Sequence, residues 1–276
     1  MKNYRLHIAL FLFAFHPSIS YAKFDLINAT KINDNKRIQN SLLNKPFAEM
    51  AYFKTIYMNL AYDKNNNFII YVQDKGLLRN TTDSNTNGGF IPEELSKKMY
   101  SSLPENTPEE REQKIKLQTS SIIYIALDNY SNNPNEIQYG IPYFTIVQEF
   151  FHAYQYAYYK RNGNVAFFLN PNNNRVIEIE GDLFSYLSPF LDELEYFNRK
   201  NTYQVEGMED LLMYFRLKHF DQNISETREL KLNQTLHRLW IEMKKIGYGL
   251  ENDLSRDPVD ISNFEALPSI IRLSTP

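Results

Sequence analysis

The sequence predicts an α+β fold that is mostly helical, with a small sheet packed against one long helix. Apolar residues recur at helical spacing over residues 143–160, 175–197 and 225–246. Residues 68–72 and 121–127 are instead short runs of β-branched and aromatic side chains, which predict strands. Helices with a few strands between them are typical of α+β domains, and one of the predicted strands directly precedes the first long helix.

The remaining elements follow from local signals. Asn-rich segments separate the periodic stretches and predict loops. Further helices are predicted over residues 47–60, 93–101 and 206–220. Another helix is expected to start at Thr107, because a threonine followed by proline and two glutamates combines an N-cap with acidic residues in the first turn. The tail from Pro258 onwards shows no clear period and is predicted to be irregular.

The first residues predict export. Lys2 and Arg5 precede an apolar run over residues 6–15, and Ser20 and Ala22 place small residues where a signal peptidase cleaves. We therefore expect a signal peptide over residues 1–22 and a mature chain, residues 23–276, that forms a single domain. The apolar run is shorter than the about 20 residues that span a bilayer, so no stable membrane anchor is expected after cleavage.

Composition narrows the location and the partners. The sequence has no cysteine, so no disulfide stabilises it, which favours a secreted or periplasmic protein of bacterial type over a eukaryotic secreted one. Without Lys2 and Arg5, 28 basic side chains face 33 acidic ones. Because no basic stripe is present, nucleic acid is not an expected partner.

The first long helix contains a motif that points to metal chemistry. In a helix, residues four apart share one face, and the pattern HExxH uses this to aim two histidines at one zinc ion while its glutamate acts as general base. Here Glu149 and His152 occupy the expected positions, but Gln148 stands in place of the first histidine. The alternative is a packed helix in which His152 is a core residue with its hydrogen bonds satisfied.

The second long helix adds a resemblance to a known family. Its segment from Glu178 through Asp182 to Phe184 resembles the one that supplies the third zinc ligand in gluzincin-type zincin metallopeptidases. The resemblance implies a zincin-like core with Glu178 as the ligand and Asp182 as an acid that orients a ligand. It also implies that residues 121–127 form the edge strand lining the substrate cleft. Glu180 is the alternative ligand, because it falls on the apolar face of the helix, and a solvated helix start is the alternative for both glutamates.

The departure from this pattern weakens the implied activity. An amide such as that of Gln148 is a poor zinc ligand, so His152 and Glu178 leave two good ligands where catalytic zinc has three. Weak coordination through Gln148, or a contribution from His219 or His237, stays open. The resemblance implies an exported metallopeptidase homologue in which Glu149 and zinc-bound water cleave peptide bonds weakly or not at all. The alternatives are a non-catalytic module that binds a peptide or protein partner, and a helical protein with chance motifs.

Overall fold

The computed structural model of this protein describes six segments and one single residue. They are residues 30–31, 34, 50–74, 88–127, 141–191, 205–245 and 259–274. The predicted signal peptide lies outside the described residues. Within these segments we find no helix with the length and apolar character needed to cross a membrane.

Contacts between Cα atoms divide the chain into two compact units. The described part of the sheet unit comprises residues 30–31, 34, 57–74, 88–127 and 141–153. That of the helical unit comprises residues 50–56, 154–191, 205–245 and 259–274. Together they are mostly helical with one small mixed sheet, which confirms the predicted α+β class. The single zincin-like domain over residues 23–276 stays a prediction.

The sheet has four strands in the order β1-β2-β4-β3. They are β1 (Thr30–Lys31), β2 (Phe68–Asp74), β3 (Gly88–Ile91) and β4 (Ser121–Leu127). The strand predicted over residues 121–127 is confirmed at both ends, and the one predicted from Phe68 continues two residues further. β4 runs parallel to β2 and antiparallel to β3, so it is paired on both sides.

The prediction that residues 121–127 form an edge strand is therefore wrong. The consecutive side chains Ile122, Ile123, Tyr124 and Ile125 are all buried, as expected of a strand with both faces covered. The edge next to β4 is instead the short strand β3, which starts with two glycines and so carries little strand signal in the sequence. A Cβ atom at Gly89 would collide with the Tyr124 ring, so this ring occupies the space that the glycine leaves.

Four helices lie wholly or partly in the sheet unit. They are α1 (Ala51–Ala61), α2 (Glu93–Met99), α3 (Pro108–Gln118) and α4 (Ile141–Arg161). α1 and α4 each contain a boundary between the two units. One face of the sheet contributes Ile69, Tyr71, Ile122 and Tyr124 to a core cluster that also contains Tyr100 and Leu117. The buried Ser96 hydroxyl donates to the Leu117 carbonyl at 2.6 Å and so ties α2 to α3.

The predicted start of α3 at Thr107 is confirmed as a capping box. The Thr107 hydroxyl accepts from the backbone N–H of Glu110 at 3.1 Å, and the Glu110 carboxylate accepts from the Thr107 N–H at 3.3 Å. Pro108 occupies the first helical position, where no N–H is required. These bonds satisfy donors that no intrahelical acceptor reaches.

The helical unit contains the remaining helices. They are α5 (Val165–Leu169), α6 (Asn174–Leu191), α7 (Met208–Arg216), α8 (Glu226–Lys245) and α9 (Ala266–Ser274). The helices predicted from residues 175, 206 and 225 are confirmed, although the stretch of α6 predicted beyond Leu191 lies outside the described residues. α7 ends earlier than predicted, because Lys218 adopts a left-handed backbone (φ 53°) before a 3-10 turn.

The predicted irregular tail is wrong for the residues that the structure describes. A 3-10 turn (Ile261–Asn263) leads into α9, in which Leu267, Ile270 and Ile271 are buried. These three residues have helical spacing. The helix was not predicted because it is short and includes Pro268. Pro268 lies within the first turn of α9, where a missing backbone N–H breaks no intrahelical bond.

Thr107→Ala is expected to lower the free energy of unfolding by about 1 kcal/mol, because it removes the N-cap acceptor of α3. Urea denaturation monitored by circular dichroism measures the change. Thr119→Ala is the matched control, since this exposed threonine just beyond the other end of α3 bonds only back to the Ile115 carbonyl. Equal losses in both variants would contradict a capping role for Thr107.

Candidate functional site: the motif residues of α4 and α6

The motif residues of α4 are buried. Gln148 is 1% exposed, and Glu149 and His152 are 0% exposed. Their neighbours Phe150 and Phe151 are also fully buried, so this stretch of α4 is covered all round rather than presented to an open cleft. A general base needs contact with its substrate and with water, so the burial of Glu149 argues against an accessible catalytic carboxylate in this structure.

Glu149 lies within electrostatic range of the sheet. The pKa of Tyr124 is raised strongly, first by burial and then by the Glu149 carboxylate. Next to Glu149 on the helix, the Phe150 ring stacks on that of Tyr57, with ring centroids 6.4 Å apart and planes 27° apart. The motif segment of α4 is therefore an integral part of the core of the sheet unit, whatever chemistry it retains.

The acidic residues of α6 belong to the helical unit, and they are buried as well. Glu178 and Asp182, one turn apart, are 6% and 5% exposed. Burial, followed by the neighbouring Asp182, raises the pKa of Glu178 to about 8. Burial alone raises the pKa of Asp182 to about 8. A solvated helix start, the alternative reading of Glu178 and Glu180, is therefore wrong, because both side chains are buried.

Glu180 has a defined structural role. Its Oε2 accepts from the Gln155 Nε2 at 2.7 Å, and its Oε1 accepts from the backbone N–H of Leu267 at 2.6 Å. Gln155 also donates to the Ile177 carbonyl at 3.1 Å. Burial raises the pKa of Glu180 to about 7, while these hydrogen bonds act in the opposite direction. The carboxylate thus joins α4 and α6 to the first turn of α9, where the helix dipole favours an anion.

This arrangement bears on the choice between the two candidate ligands. Both oxygens of Glu180 are engaged in hydrogen bonds within the helical unit, so coordination of a metal would require these bonds to be exchanged. Glu178 is the better candidate. The sequence offered no explanation of Glu180 on an apolar face, because its partner helix α9 was not predicted.

The donor set does not fit a catalytic zinc site. Among the described residues, no group of three or more His, Cys, Asp or Glu side chains could hold a metal ion. His219 does not supply the missing imidazole. Its Nδ1 accepts from a guanidinium nitrogen of Arg228 at 2.6 Å, so the neutral ring carries its proton on Nε2 and has no nitrogen free for a metal. His237 is exposed on α8. The zinc-binding roles predicted for His152, Glu178, Gln148 and Glu180 stay predictions.

Comparison with known proteins adds no relative. The chain matches no protein-family model, no curated protein and no solved structure. The resemblance to zincins therefore depends on the motif residues themselves.

Glu180→Gln is expected to lower the free energy of unfolding by about 1–3 kcal/mol, because the amide group would face one of the two donors that the carboxylate now accepts from. Glu178→Gln is the matched control on the same helix. It should have a smaller effect, since the raised pKa of Glu178 leaves that side chain largely neutral at pH 7 and the amide resembles the neutral acid. Chemical denaturation at pH 7 measures both, and a Glu180→Gln variant as stable as the unaltered protein would refute the structural role.

Proposed function

We propose that this protein is an exported homologue of zincin-type metallopeptidases in which zinc-dependent peptide hydrolysis is weak or lost. The observation that carries the proposal is the motif on α4, where Glu149 and His152 keep the spacing of a zincin helix and Gln148 replaces the first histidine. The Glu178 segment on α6 matches the family pattern for the third ligand. Export is proposed from residues 1–22 alone.

The burial of ionisable side chains on both helices supports a functional origin for the motif. A buried carboxyl or imidazole costs free energy unless hydrogen bonds or charges compensate for it, so ordinary cores contain few of them. Residues with strongly perturbed pKa values are concentrated at functional sites. Glu178 and Asp182 both have such values, and Asp182 Oδ2 has no hydrogen-bond partner among the described residues.

The donor set supports loss of activity rather than full activity. In an active zincin, three protein ligands hold the zinc ion, and the motif glutamate takes a proton from the water on it. In this chain the position of the first ligand holds an amide, and no group of metal-binding side chains completes the set among the described residues.

A second candidate is a non-catalytic exported module that binds a peptide or protein partner with the same scaffold. The complete burial of Glu149 favours it, because a side chain without access to substrate contributes nothing to catalysis while it can still stabilise a fold. The two candidates share the same ancestry and differ in whether any hydrolysis remains.

The zinc content of the purified protein tests the loss of the metal site. Elemental analysis after exchange into metal-free buffer is expected to give well below one zinc ion per chain, because one imidazole and one carboxyl are too few for a tight site. Near-stoichiometric zinc would contradict the proposal that the site is degenerate.

Gln148→His is expected to raise zinc affinity by about 10-fold or more, because it supplies the imidazole that the family pattern requires. Competition with a chromophoric chelator measures the affinity, and circular dichroism checks the fold. Gln148→His/His152→Ala is the control and should lose the gain, since both imidazoles are needed on one helix face. A Gln148→His variant that folds and binds zinc no better than the parent would show that these residues do not converge.

A further inference from the structure

The helical unit contains a cavity that the motif residues do not explain. Its volume is about 580 Å³, within the range of pockets that hold small ligands or a few side chains. α7, α9 and the chain between α7 and α8 contribute to its walls. None of the residues proposed for the metal motif lines it. The aromatic side chains that line it are Tyr158, Tyr214, Phe215, Phe220 and Phe264.

Four of these rings, all except that of Tyr158, pack against one another. Phe215 stacks on Phe264 with centroids 6.2 Å apart, and Tyr214 meets Phe220 edge to face at 6.3 Å. The guanidinium of Arg272 lies over the Phe220 ring, 5.0 Å from its centroid. The cavity thus already holds one cation of its own chain against an aromatic face, a contact in which the ring quadrupole attracts the positive charge.

The residues that line the cavity have a net negative charge. Three charged residues line the cavity, namely Glu229, Glu265 and Arg272. Arg272 is neutralised by Asp221, whose Oδ1 accepts from two guanidinium nitrogens at 2.6 and 2.9 Å. Among the residues that the structure describes, no ion pair neutralises Glu229 or Glu265. Two carboxylates therefore line the cavity without a direct ion pair.

Two tyrosine hydroxyls that line the cavity lie within electrostatic range of these carboxylates. Burial raises the pKa of Tyr214, and the Glu229 carboxylate raises it further, although Arg228 opposes this effect. Burial also raises the pKa of Tyr158, with Glu265 as the next contribution, although Arg272 and Arg161 oppose this effect. Both carboxylates thus act on groups that line the cavity, rather than on solvent alone.

We propose that this cavity binds an arginine side chain of a peptide segment from a partner protein. A planar guanidinium can lie against an aromatic face and donate to carboxylates at the same time, and the cavity offers both kinds of group. Gln222, Asn223 and Ser262 are exposed in the lining, and their side chains can donate to and accept from a peptide backbone. An anionic ligand would have to displace Asp221 from Arg272 and face Glu229 and Glu265.

The ion pair between Arg272 and Asp221 allows a test that would not apply to a general acidic patch. Arg272 occupies the face of Phe220 and the carboxylate of Asp221, so it competes with an incoming guanidinium for the same groups. Its removal should free both groups for the ligand. The proposal is independent of the metal motif, so the failure of either leaves the other standing.

The experiment compares two capped tripeptides, N-acetyl-Gly-Arg-Gly-amide and its citrulline counterpart, which has nearly the same shape without the charge. Isothermal titration calorimetry on the full-length protein measures both affinities. We expect the arginine peptide to bind about fivefold tighter or more, because cation–π contacts and ion pairs each contribute modestly at partly exposed sites. Equal binding of the citrulline peptide, or no binding of either, would overturn the proposal.

Three variants locate the binding. Glu229→Gln/Glu265→Gln should lower the affinity for the arginine peptide about tenfold, because it removes both carboxylates that have no direct ion pair. Glu226→Gln, an exposed carboxylate on the same helix that does not line the cavity, should leave affinity unchanged. Arg272→Gln should strengthen binding. Circular dichroism verifies each fold, and unchanged affinity in the double variant, or weaker binding in Arg272→Gln, would overturn the proposal.

An acidic peptide, N-acetyl-Gly-Glu-Gly-amide, tests whether the cavity prefers an anionic ligand instead. It should bind more weakly than the arginine peptide and gain affinity in Glu229→Gln/Glu265→Gln. Tighter binding of the acidic peptide to the unaltered protein would identify an anion site around Arg272 and refute the cation site.

Discussion

The buried carboxylate of Glu180 is the interaction on which the helical unit depends. It accepts from a side chain of α4 and from the backbone of α9, and it is itself part of α6. A carboxylate is costly in a core, so it persists only where charge-assisted hydrogen bonds offset its desolvation. Here three helices meet at the Glu180 carboxylate. The backbone N–H groups in the first turn of α9, which have no intrahelical acceptor, help to offset its desolvation.

This interaction also positions the cavity. α9 begins at Ala266, and its Leu267 N–H is held by Glu180. Pro268 and Arg272 on the same helix line the cavity, as does Glu265 just before it. One buried carboxylate thus helps to fix the helix that carries Arg272 and directly follows Glu265, two of the three charged residues that line the cavity.

The sequence predicted what local patterns determine. β4 was identified at both ends, because seven consecutive residues carry the strand composition. Thr107 was identified because an N-cap threonine and an acidic first turn lie within four residues. The interior position of β4 could not be predicted, since it depends on the pairing of β3, whose glycines give no strand signal. The partners of Glu180 were equally hidden, because Leu267 is 87 residues away and its short helix contains a proline.

The candidate site shows the same division between local pattern and tertiary context. Spacing placed Glu149 and His152 on one helix, and that helix exists. A motif of this kind can act in catalysis only if water and substrate reach its side chains. The tertiary packing that determines this access cannot be predicted from residue spacing. Gln148, Glu149 and His152 are all buried, as an element of a core would be.

Catalysis and recognition make different demands on a surface. A general base must meet water and substrate, whereas a binding site needs exposed groups that complement its ligand. The motif on α4 has residue types that catalysis uses, but its side chains are buried. The cavity of the helical unit meets the second, because Glu265 is exposed and Glu229 partly so beside an aromatic wall. The proposed arginine site is therefore compatible with a degenerate motif on α4, because it uses exposed groups that the motif does not include.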